Sequence, residues 1–300
     1  MPDQARSSHS TDVGEVAEPR RMAPAPRRIG AVNWLGLWTL YKKEVRRFLK
    51  VSFQTILAPV ATTLLFMTVF ALAIGARRGD VGGVPFTAFL APGLVMMALI
   101  NNAFANSSSS LIVAKVQGNA VDFLMPPISP AELAVAFIAG AMTRGVLVAA
   151  ATALVIEPFV GVGIAHPLAV AFYGLGAASV LGMIGLIAGV WAEKFDHLAV
   201  ITNFVIMPLA FLSGTFYSIT ILPEPFLTIS CYNPVFYMID GFRYGFTGYH
   251  DGNLAVGAAV ILGLNLVLGT LSYLALRTGW RLKSCRGGPT PHAIRFAFLT

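Results

Sequence analysis

The chain has 300 residues, of which 56% are hydrophobic and only 12% charged, with a mean hydropathy of +0.72. A soluble domain carries about one charged residue in four, so lipid is the main solvent of this fold. The net charge of +7 does not mark a nucleic-acid binder, because the cations gather towards the two ends of the chain and leave its middle nearly bare.

Residues 1–30 are polar and rich in Pro, Ala, Arg and Ser. They lack the apolar centre of a signal peptide and read as a disordered cytosolic tail. Next comes WLGLWTLYKKEVRRFLK, residues 34–50, with Trp34, Trp38, Tyr41, Val45 and Phe48 at helical spacing. Lys42, Lys43, Arg46, Arg47 and Lys50 are expected on the other face. This is the pattern of a helix lying in the inner headgroup layer, aromatics in lipid and cations towards anionic headgroups. Anchoring the first span and transmitting motion to it are both compatible with that placement.

Six apolar stretches follow, at about 54–75, 86–105, 133–156, 168–191, 198–217 and 254–276. Each is long enough to cross a hydrocarbon core of ~30 Å as a helix of ~20 residues. Pro208, Ser213 and Gly214 interrupt the fifth. Ala136 and Gly140 on the third, with Gly182, Gly185 and Gly189 on the fourth, allow close helix approach in lipid. No internal repeat is visible. Seventeen of the 21 Lys and Arg fall on one side if the N-terminus is cytosolic, which the positive-inside rule favours. Both termini, including the tail of 281–300, are then expected in the cytosol. Cys231 and Cys285 fall on opposite sides of the bilayer, which argues against a disulfide framework, and two cysteines are too few for a common metal site.

Catalytic signatures are missing from the sequence. It has no G-x-x-x-x-G-K-[S/T], no H-E-x-x-H and no G-x-S-x-G. The five histidines lie in tails or at helix ends, and His250 in YHDG reads as turn chemistry. Asn106 and the four serines after it read as a polar helix end where the second span meets the cytosol. Arg144 is the one clear charge within a span. It suits either contact with an anionic headgroup or sugar phosphate, or a structural pair or snorkel towards the cytosolic side. Residues 221–253, half apolar and broken by prolines and glycines, suit a re-entrant helical hairpin between spans five and six. Asp240 and Arg243, three apart, are placed to pair on one helical face. With Asn233 and Pro234 they form either an outer gate or a structural cap.

Between spans two and three stands DFLMPPISPAE, residues 122–132. Ser129 and Glu132 have the spacing of a capping box. This loop, the amphipathic YKKEVRRFLK, the FLSGTF run at 211–216 and the later NPVFYMIDGFRYGFTG together carry a resemblance. Over residues 33–280 the chain resembles the membrane subunit of type-2 ATP-binding-cassette (ABC) transporters. The branch is the bacterial one that includes nodulation-type lipo-oligosaccharide and drug exporters. The resemblance implies an all-α transmembrane domain over 31–280 in the inner membrane. It implies a permease homodimer and two copies of a separate ATPase subunit, which alone uses ATP and Mg; the chain itself holds no cofactor. Asp122, Phe123, Leu124, Met125, Pro126 and Pro127 are then expected to couple to that ATPase. The implied activity is export of an amphipathic lipid-linked saccharide, glycolipid or hydrophobic drug. A secondary transporter or channel, and a membrane enzyme acting on lipid, are the competing readings.

Overall fold

A computed structural model describes residues 32–75, 80–118 and 128–279. The described residues are helical apart from turns, loops and a single β-bridge between Val81 and Val84. The Asp122–Pro127 stretch lies outside them, as do both tails and Cys285.

Helix α1 (Trp34–Leu49) starts at Asn33, whose side-chain oxygen accepts the Gly36 amide at 2.9 Å. This satisfies one of the donors that every helix start leaves open. Its buried residues are Leu40, Glu44 and Phe48, spaced by four and therefore on one stripe. Helix α2 (Ser52–Phe70) runs on through a wide π turn at Ala71–Gly75. Helix α3 (Phe86–Val116) follows. Helix α4 (Pro130–Val160) opens with the expected box: Ser129 Oγ accepts the Glu132 amide at 3.3 Å and Glu132 Oε2 accepts the Ser129 amide at 2.8 Å.

Helix α5 (Pro167–Trp191) is followed by α6 (Phe195–Leu212), which widens into a π turn at Thr202–Ile206. Pro208 explains the widening: it has no N–H to donate and its ring crowds the carbonyl four residues back. After a single 3₁₀ turn at Ile219–Ile221 come α7 (Phe226–Tyr232) and α8 (Pro234–Thr247). Helix α9 (Leu254–Thr278) closes the described fold.

Helices α2 to α6 and α9 are the six long and apolar enough to cross a membrane. Two boundaries differ from expectation. The second span continues to Val116, so at ~1.5 Å per residue α3 is roughly 46 Å long and outruns the hydrocarbon core. The fifth stops at Leu212, because Gly214 takes a φ of +72° that ends helical geometry.

Helix α3 is the axis of the bundle. In its most apolar window 89% of residues are buried, against 17% for α2 and α6 and 11% for α9. It packs against α4 and α5 along its length and against α8 at one end. Gly185 sets the approach of α5, since a Cβ there would stand 2.4 Å from the Phe104 carbonyl oxygen. Backbone thus meets backbone, which is how helices gain contact energy in lipid. The main core gathers Leu90, Met96, Ile100, Ala177 and Ile239 around this axis, and a smaller cluster of Leu40, Leu111, Phe137 and Leu186 seats α1.

Candidate functional site

Three features stand along α3. At the α1 end is a polar latch. Glu44 is fully buried, and its Oε1 accepts the Ser110 hydroxyl at 2.7 Å. Arg47 lies one turn on and reaches Glu44 Oε2 at 3.1 Å. The same guanidinium donates to the Asn106 carbonyl at 2.8 Å, to Asn106 Oδ1 at 3.1 Å and to Ser109 Oγ at 3.2 Å. A Cβ on Gly140 would come within 2.9 Å of Glu44 Cβ, so α1 is pressed against α4 where the latch closes. Tyr41 adds a hydrogen bond to Thr143 at 2.9 Å. The start of α1 is tied as well: Glu132 Oε1 accepts the Asn33 amide at 2.6 Å. One carboxylate therefore joins the entry of α4 to the entry of α1.

Beside the latch a cleft of about 520 Å³ opens between α2, α3 and α6. Pro59, Phe66, Leu94, Leu198 and Met207 make it apolar, while Thr62, Thr63, Asn101, Asn102, Ser108, Ser109 and Thr202 run a polar strip through it. None of the described residues that line it is an acid or a base. Seven buried side-chain polar atoms lack a hydrogen-bond partner within the described chain, and five of them lie on α3 between residues 101 and 107 or on the arginines beside it: Arg47 Nε, Asn101 Oδ1, Asn106 Nδ2, Ser107 Oγ and Arg144 Nε. Native interiors leave few such groups unpaired. Their gathering on one segment of α3 and on the two arginines that reach it sets that segment apart from ordinary core, and of these five residues Asn101 lines the cleft. Arg144 donates to Asn102 Oδ1 at 3.2 Å.

At the other end is a buried polar cap. Arg243 of α8 is 1% exposed; it donates from Nη2 to the Gly214 carbonyl at 2.7 Å and from Nε to the Phe89 carbonyl at 3.2 Å. Its guanidinium lies 3.7 Å from the Phe89 ring centroid, a cation–π contact in a dry setting. Its ion partner is Asp251 at 3.9 Å, whose Oδ1 accepts from Ser218 at 2.7 Å and Tyr249 at 2.6 Å. Asp240 instead accepts the Asp251 and Gly252 amides at 2.7 and 2.9 Å. Burial pushes the Asp240 carboxyl above its ordinary range, against the pull of those two amides and of Arg243.

Residues 36–247 match the family model described as ABC-2 type transporter. The chain belongs to the ABC-2 type transporter family. The inner membrane transport permease YadH of Escherichia coli K12 is 34% identical over 251 residues, 84% of this chain and 98% of its own length. Nodulation protein J of Rhizobium leguminosarum bv. viciae is 24% identical over 246 residues, covering 80% of this chain and 92% of its own. Nodulation protein J of Rhizobium meliloti is 26% identical over 250 residues, 79% and 92% of the two chains. The chain is thus a multi-pass ABC transporter permease, and the latch, the cleft lining and all of α8 lie inside the matched segment.

The permease fold redistributes the residues that the sequence singled out. Trp34 and Trp38 are exposed and Arg46 points outward. Arg47 departs from the expected lipid-facing set and turns into the bundle, because Glu44 and the α3 acceptors draw it there. The Asn106–Ser110 run is no helix end: it is largely buried in α3 as the seat of that arginine. Asp240 and Arg243 do not form the expected direct ion pair: Asp240 accepts two amides of the loop after α8, and Arg243 has its ion partner in Asp251 of the same loop. Asn233 caps α8 through the Val235 amide at 3.0 Å and donates to the Leu209 carbonyl at 2.7 Å, with Pro234 opening the helix. His250 does turn chemistry, its Nδ1 lying 2.8 Å from the Gly252 carbonyl. Glu44, Asp251 and Asn101 escaped sequence reasoning. For Glu44 a signal existed: a lone acid four residues from both Leu40 and Phe48, inside a basic face.

Proposed function

We propose that this permease is the membrane subunit of an ATP-driven exporter in the bacterial inner membrane, with both termini cytosolic. Two copies and two separate ATPase subunits form the working unit, and the partner ATPase holds the ATP and Mg. The cargo is amphipathic: a lipid-linked saccharide, a glycolipid or a hydrophobic drug. The cleft between α2, α3 and α6 carries this reading. Its apolar walls suit an acyl chain or ring system, and its strip of amides and hydroxyls, with Asn101 Oδ1 unpaired, suits hydroxyl-rich groups. An ion-coupled carrier needs charge in its path, and the described lining offers none. The names of the relatives, an inner membrane transport permease and nodulation proteins, agree with transport from such a membrane.

Coupling runs through the loop at residues 122–127, which seats on the ATPase. Its exit is already tied to α1, because Glu132 holds both the Ser129 and the Asn33 amides. Displacing the loop therefore moves α1 and α4 together, and the Glu44–Arg47 latch passes the motion to α3 beside the cleft. Asn233, Pro234, Asp240 and Arg243 then serve as a rigid outer cap over a re-entrant hairpin.

The test is purification of the tagged permease in mild detergent together with the ATPase subunit that co-purifies with it, followed by hydrolysis and transport assays in proteoliposomes. Vanadate-sensitive hydrolysis stimulated by a fluorescent glycolipid, with ATP-dependent movement of that lipid, is the expected result. Transport by the permease alone, without any ATPase, would overturn the reading in favour of a secondary carrier or channel.

A further inference from the structure

A second cavity, of about 600 Å³, lies on the opposite flank of α3 from the cleft and is walled by α3, α4, α5 and α8. Leu99, Ala149, Ala153, Gly174, Phe242 and Phe246 give it a smooth apolar interior. Its roof is the loop after α4, which is strapped to the end of α8. The Ala165 and His166 amides donate to the Phe246 and Gly245 carbonyls at 3.3 and 2.8 Å, and the His166 ring stacks on Tyr244 at 4.6 Å. The walls are thus fixed by backbone bonds as well as by packing.

One acid stands in this lining. Glu157 borders the cavity and also a void of about 20 Å³ next to it. It sits in the last turn of α4, just before Val160 and the Gly161 cap. A helix C-terminus carries negative partial charge and repels a carboxylate, and the Glu157 side chain is exposed where it borders the apolar cavity. Among the described residues the Glu157 side chain has no hydrogen-bond or ion-pair partner. Exposed at the edge of the cavity, that carboxylate is open to a cation from outside the described chain.

We propose that this cavity binds one acyl chain of an outer-leaflet phospholipid whose headgroup ammonium pairs with Glu157. The ligand class is an alkyl chain carrying an N–H donor cation, as in phosphatidylethanolamine. Phosphatidylglycerol offers the same chain without a cation and with net negative charge, so Glu157 discriminates against it. A cationic amphiphile among the exported cargo would present the same chemistry, and the experiment below excludes it by omission. The outward placement of Glu157 rests on the orientation proposed above, whereas lipid binding itself requires neither an ATPase nor transport.

The experiment is native mass spectrometry of the full-length permease released from nanodiscs of equimolar phosphatidylethanolamine and phosphatidylglycerol, with no other amphiphile present. The wild type is expected to retain one phosphatidylethanolamine in clear excess over phosphatidylglycerol. Glu157→Gln should keep a bound lipid and lose that excess. Ala150→Phe, which fills the cavity from an exposed wall position, should lose the retained lipid, with an unchanged melting curve showing that the fold is intact. An excess that survives Glu157→Gln overturns the headgroup assignment. Retention that survives Ala150→Phe overturns the cavity assignment. Retention only when crude cell extract is supplied would assign the site to cargo and overturn the phospholipid proposal.

Discussion

Replacing Arg243 with methionine tests whether the polar cap is a rigid part of the fold. The substitution keeps an unbranched side chain of similar reach and removes the charge. It deletes two hydrogen bonds to carbonyls, at 2.7 and 3.2 Å, and the contact with the Phe89 ring. It also leaves Asp251 Oδ2, which has no hydrogen-bond partner among the described residues, without its nearby cation. Charged hydrogen bonds contribute ~1.5–3 kcal/mol each, but methionine also relieves the desolvation of the guanidinium. Breaking a buried pair by removing one partner costs ~3–5 kcal/mol net. The 3.9 Å separation of this pair points to the lower end, about 3 kcal/mol. For a fold of this size that corresponds to a fall in Tm of roughly 6–12 °C. Intrinsic-fluorescence melting in detergent measures it. Arg243→Lys should fall in between, because an ammonium cannot serve both carbonyls as the planar fork does. Adding Asp251→Asn to Arg243→Met should recover part of the loss by removing the stranded charge. A methionine variant melting with the wild type, or a double variant whose losses simply add, would refute this account.

Glu44→Ala leaves Arg47 and Ser110 without their shared acceptor and should cost about 2 kcal/mol. Its sharper readout is functional: ATPase activity of the complex should lose its stimulation by cargo while the subunits still co-purify, whereas full stimulation would show that the latch transmits nothing. Gly185→Ala should be destabilised by ~1–3 kcal/mol through overpacking against the Phe104 carbonyl, while Gly263→Ala, with open space around it, should melt at or slightly above the wild-type temperature. Asn101→Leu removes the unpaired carbonyl from the cleft; glycolipid transport should fall with stability held or raised, and unchanged transport rates would remove Asn101 from the pathway. Lys115→Met strips the donor from the Val190 and Ala192 carbonyls at the end of α5 and should lower the melting temperature by a few degrees, ~1 kcal/mol.

What the chain determines locally could be read from its sequence. In lipid each spanning segment must satisfy its own backbone hydrogen bonds, so composition and length alone locate the six helices. The Ser129–Glu132 box joins residues three apart, and the prolines and glycines that end α6 act on their own backbone. Which helix face meets protein and which meets lipid is another matter. Both environments are apolar, so hydrophobic periodicity carries no information about the choice. Glu44 meets Ser110 across 66 positions, Arg47 meets Asn106 across 59 and Arg243 meets the Phe89 carbonyl across 154. Only the packing of α1, α4, α5 and α8 around α3 brings these groups together. That packing turned a supposed lipid-facing arginine and a supposed helix end into one latch, and gave Asp240 and Arg243 different partners. Short-range chemistry set the elements; the burial of a few long-range polar contacts set their faces.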